Sequence, residues 1–222
     1  MDHNWLWRGI AIVVVALSVS ACQTAGSIDP NGNVLDFGRA GGAIAISTAM
    51  PAGLRRAPIP EGFISFCMRF YSQCETPQGQ PEMISLTPET WALLRQVNER
   101  INASIWPEDD MRHYGRGEYW DIPADGYGNC KDYALTKRKT LADAGLPQRA
   151  LRIAIVVTPR NKRHAVLTVT TDKGDYVLDN LTDDVLPWKQ TEYRWLERQD
   201  AADVAQWVTL DTAPTKIAAA AP

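Results

Sequence analysis

Asp125-Gly126-Tyr127-Gly128-Asn129-Cys130-Lys131-Asp132-Tyr133-Ala134-Leu135 is the stretch that decides the fold of this 222-residue chain. Two glycines break the backbone ahead of Cys130, and the run 131–144 has helix-forming composition until Gly145 and Pro147 stop it. Cys130 is therefore expected at a helix N-terminus. There the unpaired backbone N–H groups and the positive end of the helix dipole favour a thiolate, which makes this cysteine a candidate nucleophile. The alternative, a purely structural cysteine, sits poorly with a loop-to-helix junction.

A nucleophilic cysteine needs a base to take its proton and a third group to orient that base. The chain has three histidines. His3 lies in the apolar leader, His113 in an irregular stretch, and His164 opens a strand. After the Cys130 helix come three apolar or alternating runs, at 150–157, 164–170 and 175–180, joined by residues 160–163 and by the hairpin signal Lys173-Gly174. They predict an antiparallel meander. A strand end can hold the His164 imidazole still beside a helix N-terminus. Asp179 closes the neighbouring strand, where its carboxylate can accept the other ring N–H; Asn180, Asp183 and Asp184 compete for that role.

Ahead of the nucleophile, Thr87-Pro88-Glu89-Thr90 carries an N-cap, a proline at the first helical position and an early acid. Trp91, Leu94, Val97, Asn98 and Ile101 follow at helical spacing and predict a helix over 88–102. Asn98 on its apolar side is either a buried structural amide or a group reaching the active site. Residues 105–127 are aromatic and turn-rich, which suits either a cleft wall or a loop pinned by aromatic packing. Trp188, Tyr193, Trp195 and Trp207 are expected to pack on the sheet.

The N-terminus reads as an export signal: an apolar run over 10–17, then Val19-Ser20-Ala21-Cys22, which resembles a bacterial lipobox. Cys22 is then the lipidated residue of the mature protein. Gln23 in place of an aspartate favours the outer membrane over inner-membrane retention, with a periplasmic domain. An ordinary cleaved signal or an uncleaved anchor is the alternative, since Arg8 is the only firm positive charge before the apolar run. The four cysteines divide into Cys22 for lipid, Cys67 with Cys74 for a disulfide, and Cys130 free; two unpaired thiols in a core helix is the competing reading. Residues 23–59, rich in Ala, Gly, Ser and Pro, read as a flexible linker, with a short strand possible at 41–46. Residues 60–210 form the folded domain, in which Phe63, Phe66, Met68, Phe70 and Tyr71 look like core anchors around the cysteine pair, and 211–222 a disordered tail. A formal net charge of −3, with 23 basic and 26 acidic residues intermixed, argues against nucleic acid as a partner.

Gly128-Asn129-Cys130-Lys131-Asp132-Tyr133-Ala134, His164-Ala165-Val166-Leu167 and Val177-Leu178-Asp179-Asn180-Leu181 resemble the three motifs of the bacterial transglutaminase-like cysteine proteinases, with LapG-type periplasmic proteases among them. The likeness spans 60–207 and includes the paired cysteines and Tyr119-Trp120 with Pro123. It implies an α+β fold with a papain-like, transglutaminase-like core, the nucleophile at a helix N-terminus packed on an antiparallel sheet. It also implies Cys130 as nucleophile, His164 as general base and acid, Asp179 as orienter, an acyl-enzyme, and the Cys130 backbone N–H as one oxyanion donor. The second donor is open between the Trp120 indole and the Asn98 amide. An envelope or cell-surface protein is the expected substrate. Acyl transfer to an amine, amide hydrolysis on a non-protein substrate, and a catalytically silent envelope lipoprotein are the alternatives.

One departure stands out. In LapG-type members the nucleophile sits in an Asp-Cys-Glu-Asp setting whose acids bind calcium, a cation that favours several oxygen ligands. Here Asn129 and Lys131 flank Cys130 and leave Asp132 alone, so no cofactor and no calcium dependence are expected. Lys131 either adds positive potential near the thiolate or is a solvated lysine on the helix face.

Overall fold

The computed structural model describes residues 48–51, 53 and 55–210, together with the two-residue strands β1 (Ser27–Ile28) and β2 (Val34–Leu35). The leader with Cys22, the stretch 41–46 and the tail 211–222 lie outside the described residues. β1 and β2 pair antiparallel within a compact unit formed by Met1–Ala43. The second unit is Ile44–Pro222. Among the described residues no helix is long and apolar enough to cross a membrane.

Runs of Ile, Val, Leu and Thr form β6 (Leu151–Val157), β7 (Arg163–Thr171) and β8 (Gly174–Leu178), the expected antiparallel meander. Gly174 closes the β7–β8 turn at φ 102°, a conformation that favours glycine. The sheet is wider than the three runs suggested. β3 (Arg56–Ala57), β9 (Leu186–Pro187), β10 (Arg194–Gln199) and β11 (Trp207–Thr209) extend it to seven strands, ordered β3-β11-β10-β6-β7-β8-β9. β10 was hidden because its Arg-Trp-Leu-Glu-Arg-Gln sequence reads as polar, although Arg198 and Gln199 are buried.

The N-terminal boundary at Pro60 is corrected. Residues 48–51, 53 and 55–59, assigned to the linker, belong to the folded body: β3 pairs with β11, the Asp175 N–H donates to the Thr48 carbonyl at 3.1 Å, and Met50 is buried on the sheet. Backbone pairing with strands more than a hundred residues away leaves no local signature.

The helices are α1 (Glu61–Arg69), α2 (Pro88–Ser104), α3 (Asp110–Tyr114) and α4 (Cys130–Asp143). Thr87 caps α2 as expected, accepting from the Thr90 N–H at 3.2 Å. α4 packs against both β7 and α2, which is why Tyr133, Leu135, Lys137, Arg138 and Leu141 are buried around it rather than along a single stripe. One core cluster fills the space between sheet and helices, including Phe63, Phe66, Leu94, Trp120, Leu135, Leu167 and Trp207. A second, with Met50, Val156, Val166, Trp188 and Trp195, covers the opposite face. Cys67 and Cys74 are joined by a disulfide with Cα atoms 5.6 Å apart, which staples the end of α1 to the following 3-10 turn. Phe63 and Phe66 are core residues, whereas Met68 and Tyr71, expected as anchors, are exposed.

Candidate active site

Cys130 is the first residue of α4 and a free, partly exposed thiol. The helix starts here because Asp132 folds back to accept the Asn129 backbone N–H at 2.9 Å, while its other oxygen accepts the Asp121 N–H at 2.8 Å. Burial pushes the Asp132 carboxyl up to about 6, against the Lys131 charge and those two N–H donors.

His164, the second residue of β7, is buried and faces Cys130. Its Nε2 lies 2.7 Å from Asp179 Oδ1, with Asp179 just beyond the end of β8. Burial disfavours the charged ring, but hydrogen bonds to Asp179 and Cys130 together with their charges outweigh it, pushing His164 up to about 9. Asp179 is also buried. Desolvation opposes its ionised form, and His164, the Tyr193 hydroxyl and the Leu181 N–H more than offset this and hold it below the usual carboxylate range. Tyr193 Oη donates to Asp179 Oδ2 at 2.5 Å and Leu181 N–H to Oδ1 at 3.1 Å. Asn102 Nδ2 donates to the Asp179 carbonyl at 3.0 Å.

Cys130 and His164 open onto a cleft of about 460 Å³ that is also lined by Pro60, Met111, Glu118, Trp120, Ile155 and Arg163. The segment 105–127 is therefore both things the sequence allowed. It walls the cleft, and it is pinned: Trp106–Pro107 (β4) pairs in parallel with Tyr127–Gly128 (β5), and His113, within α3 rather than in an irregular stretch, bonds Asp125 at 2.8 Å. Trp120 is buried, and its indole N–H has no hydrogen-bond partner. Gly62 is needed for the indole to lie there, because a Cβ at that position would stand 2.4 Å from Trp120 Cδ1 and 2.0 Å from the Glu118 carbonyl oxygen. Gly62→Ala is accordingly expected to displace the Trp120 wall, cost about 1–3 kcal/mol and lower the melting temperature by several degrees. Thermal melts of the variant beside its peptide-hydrolysis rate check this.

The other oxyanion candidate is corrected. Asn98 is fully buried and its Nδ2 donates to the carbonyls of Thr182 and Asp183, each at 3.0 Å. Its donors hold the loop after Asp179 and are not directed at a substrate. Lys131 is not the solvated lysine that one reading expected. It is buried, and its Nζ donates to Asp110 Oδ2 and to Asn129 Oδ1, each at 2.6 Å. Both Asp132 oxygens accept backbone N–H groups, and Asp110 is paired with the lysine. Among the described residues no group of three or more His, Cys, Asp or Glu is arranged to hold a metal.

Three contributors escaped sequence reading. Asp110 and Tyr193 reach the site across 20 and 14 residues of chain from Cys130 and Asp179, where no periodicity links them. Lys137 does carry a signal, since it lies two turns along α4 on the Cys130 side. Burial pushes its ammonium down to about 7, with the charges of Asp179 and Asp183 working against that shift.

A helix-borne cysteine facing a histidine on an antiparallel sheet defines this molecule as transglutaminase-like in fold. The model of the family described as bacterial transglutaminase-like cysteine proteinase BTLCP matches residues 54–215, so the chain belongs to that family and is a cysteine peptidase. No curated protein matches. Similar solved structures include Legionella pneumophila LapG in a calcium-bound form, at 20% identity and TM-score 0.47 over 74% of this chain and 87% of that one. An EGTA-treated form of the same protein is 23% identical, with TM-score 0.44 over 62% and 72% of the two chains.

Proposed function

We propose that this cysteine peptidase works through a Cys130–His164–Asp179 triad on envelope or cell-surface proteins, from the periplasmic side of an outer membrane to which Cys22 anchors it. The observation that carries the reading is the His164–Asp179 bond of 2.7 Å on a ring whose other side meets Cys130 at the cleft. Asp179 fixes the tautomer by accepting a hydrogen bond from Nε2–H, which leaves Nδ1 for the thiol. The Cys130 thiolate attacks a peptide carbonyl, and His164 protonates the leaving amine. A thioester remains, and His164 then deprotonates the water that hydrolyses it. The oxyanion is met by the Cys130 backbone N–H; the Trp120 indole N–H is closed off from solvent and does not reach it.

The open, mixed-polarity cleft suits a few residues of extended polypeptide. Comparing new N-termini in the envelope proteome of cells with and without Cys130→Ala tests the substrate class. Peptides that appear only with the active enzyme are expected, and an unchanged set contradicts a proteolytic role there. Products carrying an added amine in place of a free carboxylate would indicate acyl transfer.

LapG has been described in a calcium-bound form. For this chain we expect catalysis without calcium, because the Lys131 ammonium already occupies the carboxylate that a cation would need. Excess EGTA should leave turnover unchanged, and a loss restored by added calcium would contradict this.

A further inference from the structure

Asp110 is the second residue of the turn Asp109-Asp110 that starts α3, and only 6% of it is exposed. Both residues that flank the nucleophile bond to it: Asn129 Nδ2 donates to Oδ1 at 2.5 Å and Lys131 Nζ to Oδ2 at 2.6 Å. The same Oδ2 accepts the backbone N–H of Tyr119, next to Trp120, at 2.9 Å. Lys131 Nζ also closes onto Asn129 Oδ1 at 2.6 Å. One carboxylate thus joins the turn carrying Cys130 to the opposite cleft wall carrying Trp120, and one ammonium neutralises it.

From this ring of bonds we infer that Asp110 and Lys131 are positioning residues that set the turn carrying Cys130 and the cleft wall carrying Trp120 at a fixed separation. The inference rests on reading Cys130 as the nucleophile. Neither residue touches the reacting atoms. Their effect is geometric: a misplacement of the nucleophile on the order of 1 Å against the wall that holds the substrate costs about 10²-fold in rate. A lysine suits this role because its compact ammonium fits between two oxygens, where the planar fork of arginine does not. A buried pair that only stabilised the fold would show its loss in stability and not selectively in turnover.

The test uses the full chain. Lys131→Ala is expected to lower kcat about 10²-fold with KM within about threefold of wild type. The double variant Asp110→Asn, Lys131→Ala, which buries no unpaired charge, should melt near wild type and stay slow. Lys131 lines the cleft, so ethylammonium added to Lys131→Ala should raise its kcat, and should do nothing for wild type or for His164→Ala. Asn129→Ala keeps the ion pair and removes one arm, so it gives a second, milder measurement if the lysine variants fail to fold; about a tenfold fall in kcat is expected. Wild-type kcat in a folded double variant or in Asn129→Ala would overturn the inference, as would a loss confined to KM or the absence of any amine effect. An active His164→Ala would overturn the triad itself, and that result is separate because it does not involve Asp110 or Lys131.

Discussion

His164→Ala should lower peptide hydrolysis on the order of 10⁴-fold, and Cys130→Ala should reduce it to background. The two losses have different origins. Without the thiol no acyl-enzyme forms, whereas without the imidazole the thiol remains but has lost the base that holds it ionised and the acid that protonates the leaving amine. The pH profile carries the same information. Because hydrogen bonds and charge from Asp179 and Cys130 push His164 up to about 9, the imidazolium persists through neutral pH, and activity should fall as pH rises through about 9. The stability contribution has the same sign. A histidine raised above its unfolded value of about 6.5 adds stability that is complete below that value and lost as pH rises through about 9. Denaturant melts of wild type and His164→Ala should therefore differ at neutral pH and converge as pH rises through about 9.

Asp179→Asn is the second large effect expected, a fall of about 10²–10⁴-fold in kcat with the fold retained. The asparagine can keep the shape of the site but presents an N–H to one of its two partners. Where the carboxylate accepted from both His164 Nε2 and Tyr193 Oη, one of those bonds is lost. The ring is then free to adopt the tautomer that presents a proton, not a lone pair, to the thiol. Removing the negative charge also withdraws one of the causes that raise His164, so the alkaline limb of the pH profile should move downward from about 9. A titration of the His164 ring signals in wild type and variant measures this directly. An unchanged limb would show that Asp179 does not act through the imidazole. Asp179 itself is held low, so its own contribution to stability is present above the ordinary carboxylate range and lost as pH falls through its depressed value.

What was legible in the sequence follows from the range of the interactions involved. The start of α4 at Cys130 was readable because glycines, a reaching-back aspartate and a helix-forming run are local. β6, β7 and β8 were readable for the same reason, and their order brings His164 and Asp179 to adjacent strand ends. β3 and β10 were not, because a two-residue strand and a strand rich in arginine and glutamate are defined by their partners. The Asp110 clamp was invisible in the same way. The solvated reading of Lys131 failed because a lysine one residue into a helix is ordinarily exposed, and nothing nearby in sequence announces a buried carboxylate 21 residues upstream. Asn98 was placed on the correct face of α2, but only the loop it binds, Thr182 and Asp183, decides that its role is structural.

The rate at which iodoacetamide labels Cys130, followed from about pH 4 to pH 10 in wild type and in His164→Ala, tests the central claim most directly. The account predicts a fall of at least about tenfold in the labelling rate of Cys130 at the same pH when His164 is removed. Identical labelling curves for the two proteins would contradict it, since His164 would then have no hold on the charge of Cys130.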